Sequence, residues 1–526
     1  MTDAVLTEAR AAATAGKLDA AAEILRQAIA GSPRDGRLHA ELGRILILSN
    51  VRKEGENALL QAARLAPDDW QLQAQVGRYL DRLREHRIAA QCYQRALALR
   101  PDQVGLWGHL ARMLRRNGDE KGAEHAAEQA LRLQPESADA MHELGLLRWM
   151  QHRNGEALKL CQAASRLEPG NVFYQGARMS LEAESEAEAL YSKGDGTLRV
   201  GLHMNKPFHF PFLQPIFAAL RPSHPVRLTG EPALLSSFDP QVVVVADIQS
   251  VGLRPMLPQA KFVYIRHGMV SKNHLSQVAA TSDYCTNVTS AYVADLMVRT
   301  HGFQPGQIWI TGYVPLDPLF RGARLPLPFP LNRDLKTILF APTWNRHMSA
   351  ADLSRERTVE LLRGAREDIN VIIKPHPHTI RYNPDWYAAF QQSVGGRANA
   401  WLVEDPAADV TPYLAAADVL VSDASSVTLA YLALNRPIVL VNHPRREQDP
   451  GYNPEGLEWR WRDLAEEVTE IRDLPGAVAR ALADPGRHAA QRAQYRELLF
   501  GNLTDGRAAE RIAERIGALA PEFAAG

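Results

Sequence analysis

Residues 418–426 read Asp-Val-Leu-Val-Ser-Asp-Ala-Ser-Ser. The run from Val419 to Val421 is too short for a buried helix, lacks polar alternation, and is rich in β-branched residues, as a strand covered on both faces would be. A polar turn follows at once, and residues 426–434 then take up a helical pattern. Strand, tight polar turn and helix in that order make up the repeating unit of an open parallel sheet, which presents such turns at the carboxyl ends of its strands.

The same grammar extends in both directions. Downstream of residue 334 the segments 337–344 (TILFAPTW), 370–378 (NVIIKPHPH), 400–405 (AWLVED) and 436–441 (RPIVLV) read as further strands, with helices at 353–366, 386–392, 410–417 and 426–434. They predict an α/β domain over 334–463, followed by a mostly helical tail over 464–526. Upstream, 198–204, 224–230, 240–248, 261–268, 284–290 and 307–314 read as strands, with a helix over 212–220 and another that Ser290 caps and Gly302 ends. This second set predicts an α/β domain over 198–320, and the proline-rich stretch 324–333 reads as a linker. Two such domains joined by a linker form a cleft.

Before residue 198 the periodicity is different. Prolines stand at 33, 67, 101, 135 and 169, a constant spacing of 34 residues. Small residues recur in phase at Gly43, Gly77, Ala111 and Gly145, at Ala28, Ala62, Ala96, Ala130 and Ala164, and at Ala21, Gly55, Ala89, Ala123 and Ala157. Small side chains at fixed positions let paired helices approach closely, and the period is that of tetratricopeptide repeats. An α-helical solenoid over 1–175 is therefore predicted, with a capping helix and linker over 176–197. Its concave face suits a protein partner or self-association. Trp70, Trp107 and Trp149 share no repeat column and read as local packing.

Composition bounds the rest. The chain has 526 residues and 60 basic against 60 acidic side chains, so no bulk cationic character points to nucleic acid. Three scattered cysteines supply neither a disulfide framework nor a cysteine metal cluster. The first residues do not read as a signal peptide and no run is long enough to span a membrane. A cytoplasmic location is expected, which leaves room for peripheral attachment at the inner face of the membrane.

Four motifs fall at strand ends. Ser425 and Ser426 offer hydroxyls at a helix start, where free backbone N–H groups favour an anion, although simple capping explains the same pattern. Asp423 would repel a phosphate there, so ribose hydroxyls, a polyol or loop geometry suit it better. Lys374 can neutralise a diphosphate, and His376 and His378 reach the same side of an extended Lys-Pro-His-Pro-His segment. Zinc is the competing reading of those histidines, but a third ligand is not apparent nearby and no metal is expected. Arg266-His267-Gly268 ends a strand of the first α/β domain: the histidine suits a general base, the glycine permits close approach, and the arginine suits a phosphate clamp. Glu404 and Asp405 either bind a sugar or cap a helix after Pro406, and Glu458 stands among tryptophans and arginines; neither is assigned a role. Phosphate-loop, dinucleotide, zinc-protease and hydrolase-elbow signatures are missing.

At these positions the region 198–463 resembles the CDP-glycerol glycerophosphotransferases of teichoic acid and capsule synthesis, which have a two-domain GT-B fold. His267-Gly268 is similar to the family's His-Gly, Ala341 to Trp344 to its Ala-Pro-Thr-Trp, and Lys374, His376 and Pro377 to its Lys-x-His-Pro. Asp423, Ser425 and Ser426 are similar to its Asp-x-Ser-Ser, and Asn435-Arg436-Pro437 to its Asn-Arg-Pro. The resemblance implies His267 and His376 as catalytic residues. It also implies a donor side built from Thr343, Arg346, Lys374, Asp423, Ser425 and Ser426, and an acceptor side that includes Arg266 and Gly268. The family's Gly-x-Pro-Arg-x-Asp connector appears as Gly312 to Asp317 without the arginine, and Arg266 replaces the aromatic residue that often precedes His-Gly.

Three functions fit these residues. In the preferred one a CDP-linked polyol donor, with no cofactor, transfers its polyol phosphate to a hydroxyl of a cell-surface polymer or glycan. A GT-B glycosyltransferase using a nucleotide sugar is the alternative within the same fold. A repeat-based scaffold carrying a degenerate enzyme domain is the alternative outside it.

Overall fold

The computed structural model describes residues 2–14, 17–191, 196–269, 275–364, 366–405 and 408–524. Part of the linker read over 176–197 and the helix start read after Pro406 lie outside these residues. The chain divides into two compact units, Met1–Glu182 and Ala183–Gly526.

The first unit is an all-helical array of antiparallel pairs. Gly36–Leu48 pairs with Arg52–Leu65, Trp70–Arg82 with His86–Leu99, Val104–Arg116 with Glu120–Leu133, and Ala138–Met150 with Asn154–Leu167. The small-residue columns sit where these helices touch. A side chain on Gly43 would meet Leu59 Cγ at 2.7 Å and the Gly55 carbonyl oxygen at 2.9 Å, and one on Gly145 would meet Cys161 Sγ at 2.8 Å. Helix starts are fixed by Asp35, Asp69, Asp119 and Ser137, whose side chains accept backbone N–H bonds. Trp149 is buried, while Trp107 donates to the Pro101 carbonyl within its own turn.

The second unit holds two fully parallel six-stranded sheets. In the first, β1 (Val200–His203), β2 (Val226–Thr229), β3 (Val242–Val245), β4 (Lys261–Ile265), β5 (Tyr284–Val288) and β6 (Ile308–Ile310) run in the order β2-β1-β3-β4-β5-β6. In the second, β7 (Lys336–Phe340), β8 (Ile369–Ile373), β9 (Ala400–Leu402), β10 (Val419–Ser422), β11 (Ile438–Val441) and β12 (Glu466–Val468) run in the order β12-β11-β10-β7-β8-β9. The strand order reverses direction between β1 and β3 and again between β7 and β10. At such switch points adjacent connections leave on opposite faces and open a crevice. The architecture is a tetratricopeptide-like solenoid followed by two Rossmann-like sheets of the GT-B kind.

Ser290 caps the helix Ala291–His301 by accepting from Val293 N, and Gly302 ends it with φ +74°. The single helix expected over 353–366 is broken. Ala350–Ser354 is followed by a tight turn and then by Thr358–Arg363, because Arg355 adopts φ +43° and its guanidinium is held by Asp352 and Asp385. The tail, read as mostly helical, also supplies β12 at the edge of the second sheet. Its helix Leu474–Ala483 packs on that sheet's core, whereas Ala508–Gly517 returns to the first sheet beside the helix Phe210–Leu220. Cys92, Cys161 and Cys285 are free and buried. No helix among the described residues is long and apolar enough to cross a membrane.

Candidate functional site

The motifs read from the sequence lie at the carboxyl ends of both sheets. In the second sheet the switch point between β7 and β10 is closed by Asp423. Its buried carboxylate accepts from Thr343 N at 2.9 Å and from Ala350 N at 2.9 Å, and Arg462 donates to its backbone carbonyl at 3.1 Å. Of the roles open to Asp423, loop geometry is where its hydrogen bonds go. Burial pushes its pKa up to about 6, against the pull of those N–H groups. Thr343 is buried, and its carbonyl accepts from Ser349.

Ser425 occupies the N-cap of the six-residue helix Ser426–Tyr431, with its hydroxyl 3.3 Å from Val427 N. The capping reading and the ligand reading of Ser425 therefore share one oxygen. Lys374 follows β8 and is buried, its ammonium donating to the Pro375 carbonyl at 3.3 Å. Burial pulls its pKa down to about 8, opposed by Asp405 and Asp409. Asp409 in turn accepts from the Thr411 hydroxyl at 2.8 Å, and that hydroxyl lies 3.1 Å from the Pro315 carbonyl between the two sheets. Lys374 thus stands beside the seam where the lobes meet.

His376 accepts the His378 backbone N–H at Nδ1, 3.1 Å away. With that nitrogen occupied as an acceptor, the neutral ring carries its proton on Nε2 and presents a donor. The His376 and His378 rings are 5.2 Å apart by centroid; Trp344 lies 6.3 Å from the first and 5.4 Å from the second, and Tyr382 packs against His378 at 5.5 Å. Arg346 lies over Trp386 and donates to Asp385 at 2.8 Å, so the guanidinium expected around a diphosphate is engaged by a carboxylate. No group of three or more His, Cys, Asp or Glu among the described residues is arranged to hold a metal.

In the first sheet His267 stands just past β4. Its Nδ1 is 2.8 Å from the Ala246 carbonyl oxygen at the end of β3, so Nδ1 donates and Nε2 is the acceptor nitrogen of the neutral ring. His267 and His376 therefore present opposite functions at Nε2. Gly268 beside it is partly exposed. Arg266 is buried, donates to the Met269 carbonyl at 3.3 Å and pairs with no carboxylate among the described residues; burial lowers its pKa. Its backbone carbonyl accepts from Asn287, whose side chain also receives Val314 N.

The connector Gly312 to Asp317 is structural here. Gly312 adopts φ +98°, and a side chain there would meet Ala508 at 3.1 Å. The Asp317 carboxylate accepts from Ala508 N and Ala509 N, both at 3.0 Å, and caps the returning helix.

Sequence reading missed two groups. His443, after β11, accepts Arg445 N at Nδ1 and points Nε2 at Asp352, 3.5 Å away. Asp352 also binds Arg355 and Arg445; burial raises its pKa, but His443 and Arg355 hold it down to about 2. The signal was present, since strand, one or two residues and His-Pro recur at 373–377 and 441–444. The other group, Lys206, His209 and Asp247, carries no motif and gathers only across the switch point of the first sheet.

Residues 259–518 match the family described as CDP-glycerol:poly(glycerophosphate) glycerophosphotransferase. Residues 6–72, 77–127 and 121–172 match the tetratricopeptide repeat. The chain carries a CDP-glycerol glycerophosphotransferase-like domain fused to an N-terminal tetratricopeptide region. The chain is 26% identical over 173 residues to the teichoic acid glycerol-phosphate primase of Bacillus subtilis (strain 168). That match covers 32% of this chain and 41% of the relative, so the chain spans less than half the length of that protein. Among solved structures, the wall teichoic acid polymerase TagF soaked with CDPG aligns at TM-score 0.48 and 14% identity, covering 66% of this chain and 94% of that one. YrrB, a TPR protein with an unusual peptide-binding site, aligns at TM-score 0.30 and 18% identity, covering 33% of this chain and 90% of that one.

Proposed function

We propose that the second unit is a transferase that moves glycerol phosphate, or a related polyol phosphate, from a CDP-linked donor to a hydroxyl of a cell-surface polymer or glycan. The observation that carries this reading is the pair of oppositely set histidines, in a domain that matches the glycerophosphotransferase family. One ring is fixed to accept a proton and the other to give one, as a displacement at phosphorus requires.

In this reading Lys374, after β8, and Ser425 and Ser426, after β10, hold the donor diphosphate, with Asp423 tying the β10 turn to Thr343 after β7. Arg346 reaches the donor only by exchanging its ion pair with Asp385 for the diphosphate. Nε2 of His267 takes the proton from the acceptor hydroxyl, whose oxygen attacks the β-phosphorus. The bond from that phosphorus to the bridging oxygen breaks, and CMP leaves with the electron pair while His376 Nε2–H hydrogen-bonds the departing oxygen. Alignment and charge neutralisation supply most of the acceleration. Arg266, beneath the His267 turn, positions that loop through Met269. The tetratricopeptide region provides a docking face for a protein partner or a second copy.

Incubation of the full chain with CDP-glycerol, CDP-ribitol and a panel of nucleotide sugars, in the presence of cell-envelope extract, tests the reading by product mass spectrometry. A phosphodiester product with release of CMP supports it. A glycosidic product assigns the site to glycosyl transfer, and no product from any donor, together with a stable complex formed through residues 1–175, assigns the chain to the scaffold class.

A further inference from the structure

The first sheet's switch point holds a second cluster that the transfer step above does not use. Lys206 follows β1 and forms an ion pair with Asp247, which follows β3, so the pair bridges the crevice where the strand order reverses. Beside His267 lies His209, which feels the charges of both members of that pair. It is fully buried, its ring centroid is 5.9 Å from that of His267, and neither of its ring nitrogens has a hydrogen-bond partner among the described residues. Phe208 packs edge-on against His209 at 4.8 Å and lies 6.2 Å from His267, with the Lys206 ammonium 5.7 Å over its ring. Lys206, Phe208 and His267 are partly exposed and form the rim; His209 and Asp247 are the buried floor.

Two buried ring nitrogens without partners are costly, and such groups are met by a ligand or by an ordered water. The chemistry of the cluster says which ligand. Lys206 is neutralised by Asp247, so the crevice offers an anion no net charge, and the carboxylate would repel a phosphate. Burial drives the His209 pKa down to about 4, with Lys206 and His203 adding to the effect and Asp247 opposing it. A ring that stays neutral near pH 7 has one donor and one acceptor nitrogen. A carboxylate, a neutral imidazole and an aromatic face together match adjacent hydroxyl groups on a carbon chain or sugar ring, since each hydroxyl both gives and accepts a hydrogen bond.

We infer that Lys206, Phe208, His209 and Asp247 form a hydroxyl-recognising subsite beside His267, which takes the polyol or sugar terminus of the acceptor and not a phosphate group. The inference rests on the transferase reading for the word acceptor, but not for the binding chemistry. His209 and Asp247 hold one hydroxyl of the terminus, and the neighbouring hydroxyl is thereby set against His267 Nε2.

The test uses the full chain with 13C-labelled histidine, glycerol and inorganic phosphate as separate probes, and the variants His209→Gln and His209→Leu. Imidazole signals are assigned by their disappearance in His209→Gln and in His267→Gln. Glycerol is expected to shift the His209 and His267 signals, while phosphate at the same concentration leaves them in place. In turnover with CDP-glycerol, His209→Leu is expected to raise the acceptor KM by roughly tenfold with the donor KM unchanged, and His209→Gln, which keeps a donor and an acceptor, to recover most of that loss. Shifts with phosphate but not glycerol, no shift with either, or a His209→Leu effect confined to the donor KM would each overturn the subsite. Glycerol shifts that persist where no CDP-linked donor turns over would retain the subsite and remove the transferase reading instead.

Discussion

His267 and Ala246 are joined across neighbouring strands: Nδ1 of the histidine lies 2.8 Å from the alanine carbonyl oxygen. That one contact fixes the tautomer, because a backbone carbonyl can only accept. Nε2 is then the proton acceptor of the neutral ring, whereas in His376 the His378 backbone N–H occupies Nδ1 and leaves Nε2 as the donor.

Replacing His267 with Ala removes the acceptor nitrogen without disturbing a buried core. Transfer should fall by about 10²- to 10⁴-fold in kcat, the usual range for a positioned general base, with the far-ultraviolet circular dichroism and Tm retained. Turnover near the parent level would remove His267 from the proton-transfer role.

Lys374 gives a pH signature. The charged form holds an anionic donor, and in the free protein the group titrates near 8 instead of 10.5. Donor affinity should therefore be full below about pH 7 and weaken above pH 8, approaching about tenfold per pH unit. Calorimetric titration with CDP-glycerol between pH 6.5 and 9.5 checks this, and Lys374→Met should bind weakly with little slope. A parent slope equal to that of Lys374→Met would show that this lysine does not meet the donor.

Ser425 and Ser426 separate capping from donor binding. Ser425→Ala loses the bond to Val427 N and should cost about 1 kcal/mol of stability as well as donor affinity. Ser426→Ala should weaken the donor while leaving Tm within a degree or two. Donor binding at the parent level in both variants would reduce the motif to a helix cap.

Asp317 ties the connector to the end of the chain. Asp317→Ala frees Ala508 N and Ala509 N and should destabilise the second unit by about 1–2 kcal/mol, read by denaturant titration. Burial lifts this carboxyl to about pKa 6, above the ordinary 3.8, so the folded state holds a proton that the unfolded state has released between those values. Its contribution to stability should grow as pH falls from about 7 to about 4, and Asp317→Asn should flatten that part of the profile. Identical profiles for the two proteins would contradict the assignment.

Local patterns carried much of the site. The apolar runs ending in His267, Lys374 and Asp423 were readable because a buried parallel strand needs only adjacent residues to declare itself. The helix over 353–366 was not, since its break depends on Arg355 being held by Asp385, thirty positions away. Asp317 was legible as part of a motif, but its partners are 191 and 192 positions distant and no periodicity links them. Lys206, His209 and Asp247 were missed for a related reason: they meet only because β1 and β3 are neighbours, and strand order is not written in any one segment.

The sequence by itself determined the solenoid, through small residues that recur every 34 positions, and the two parallel sheets, through short apolar runs ended by polar turns. Both are declared by patterns that adjacent residues carry, whatever distant segments they later pack against. Only the tertiary structure decided which nitrogen of His267 carries the proton, what the carboxylate of Asp423 holds, and where a neutral histidine comes to lie beside the proposed base. Those properties depend on hydrogen bonds and burial supplied by other strands, and a side chain's charge and tautomer are set by what surrounds it in space.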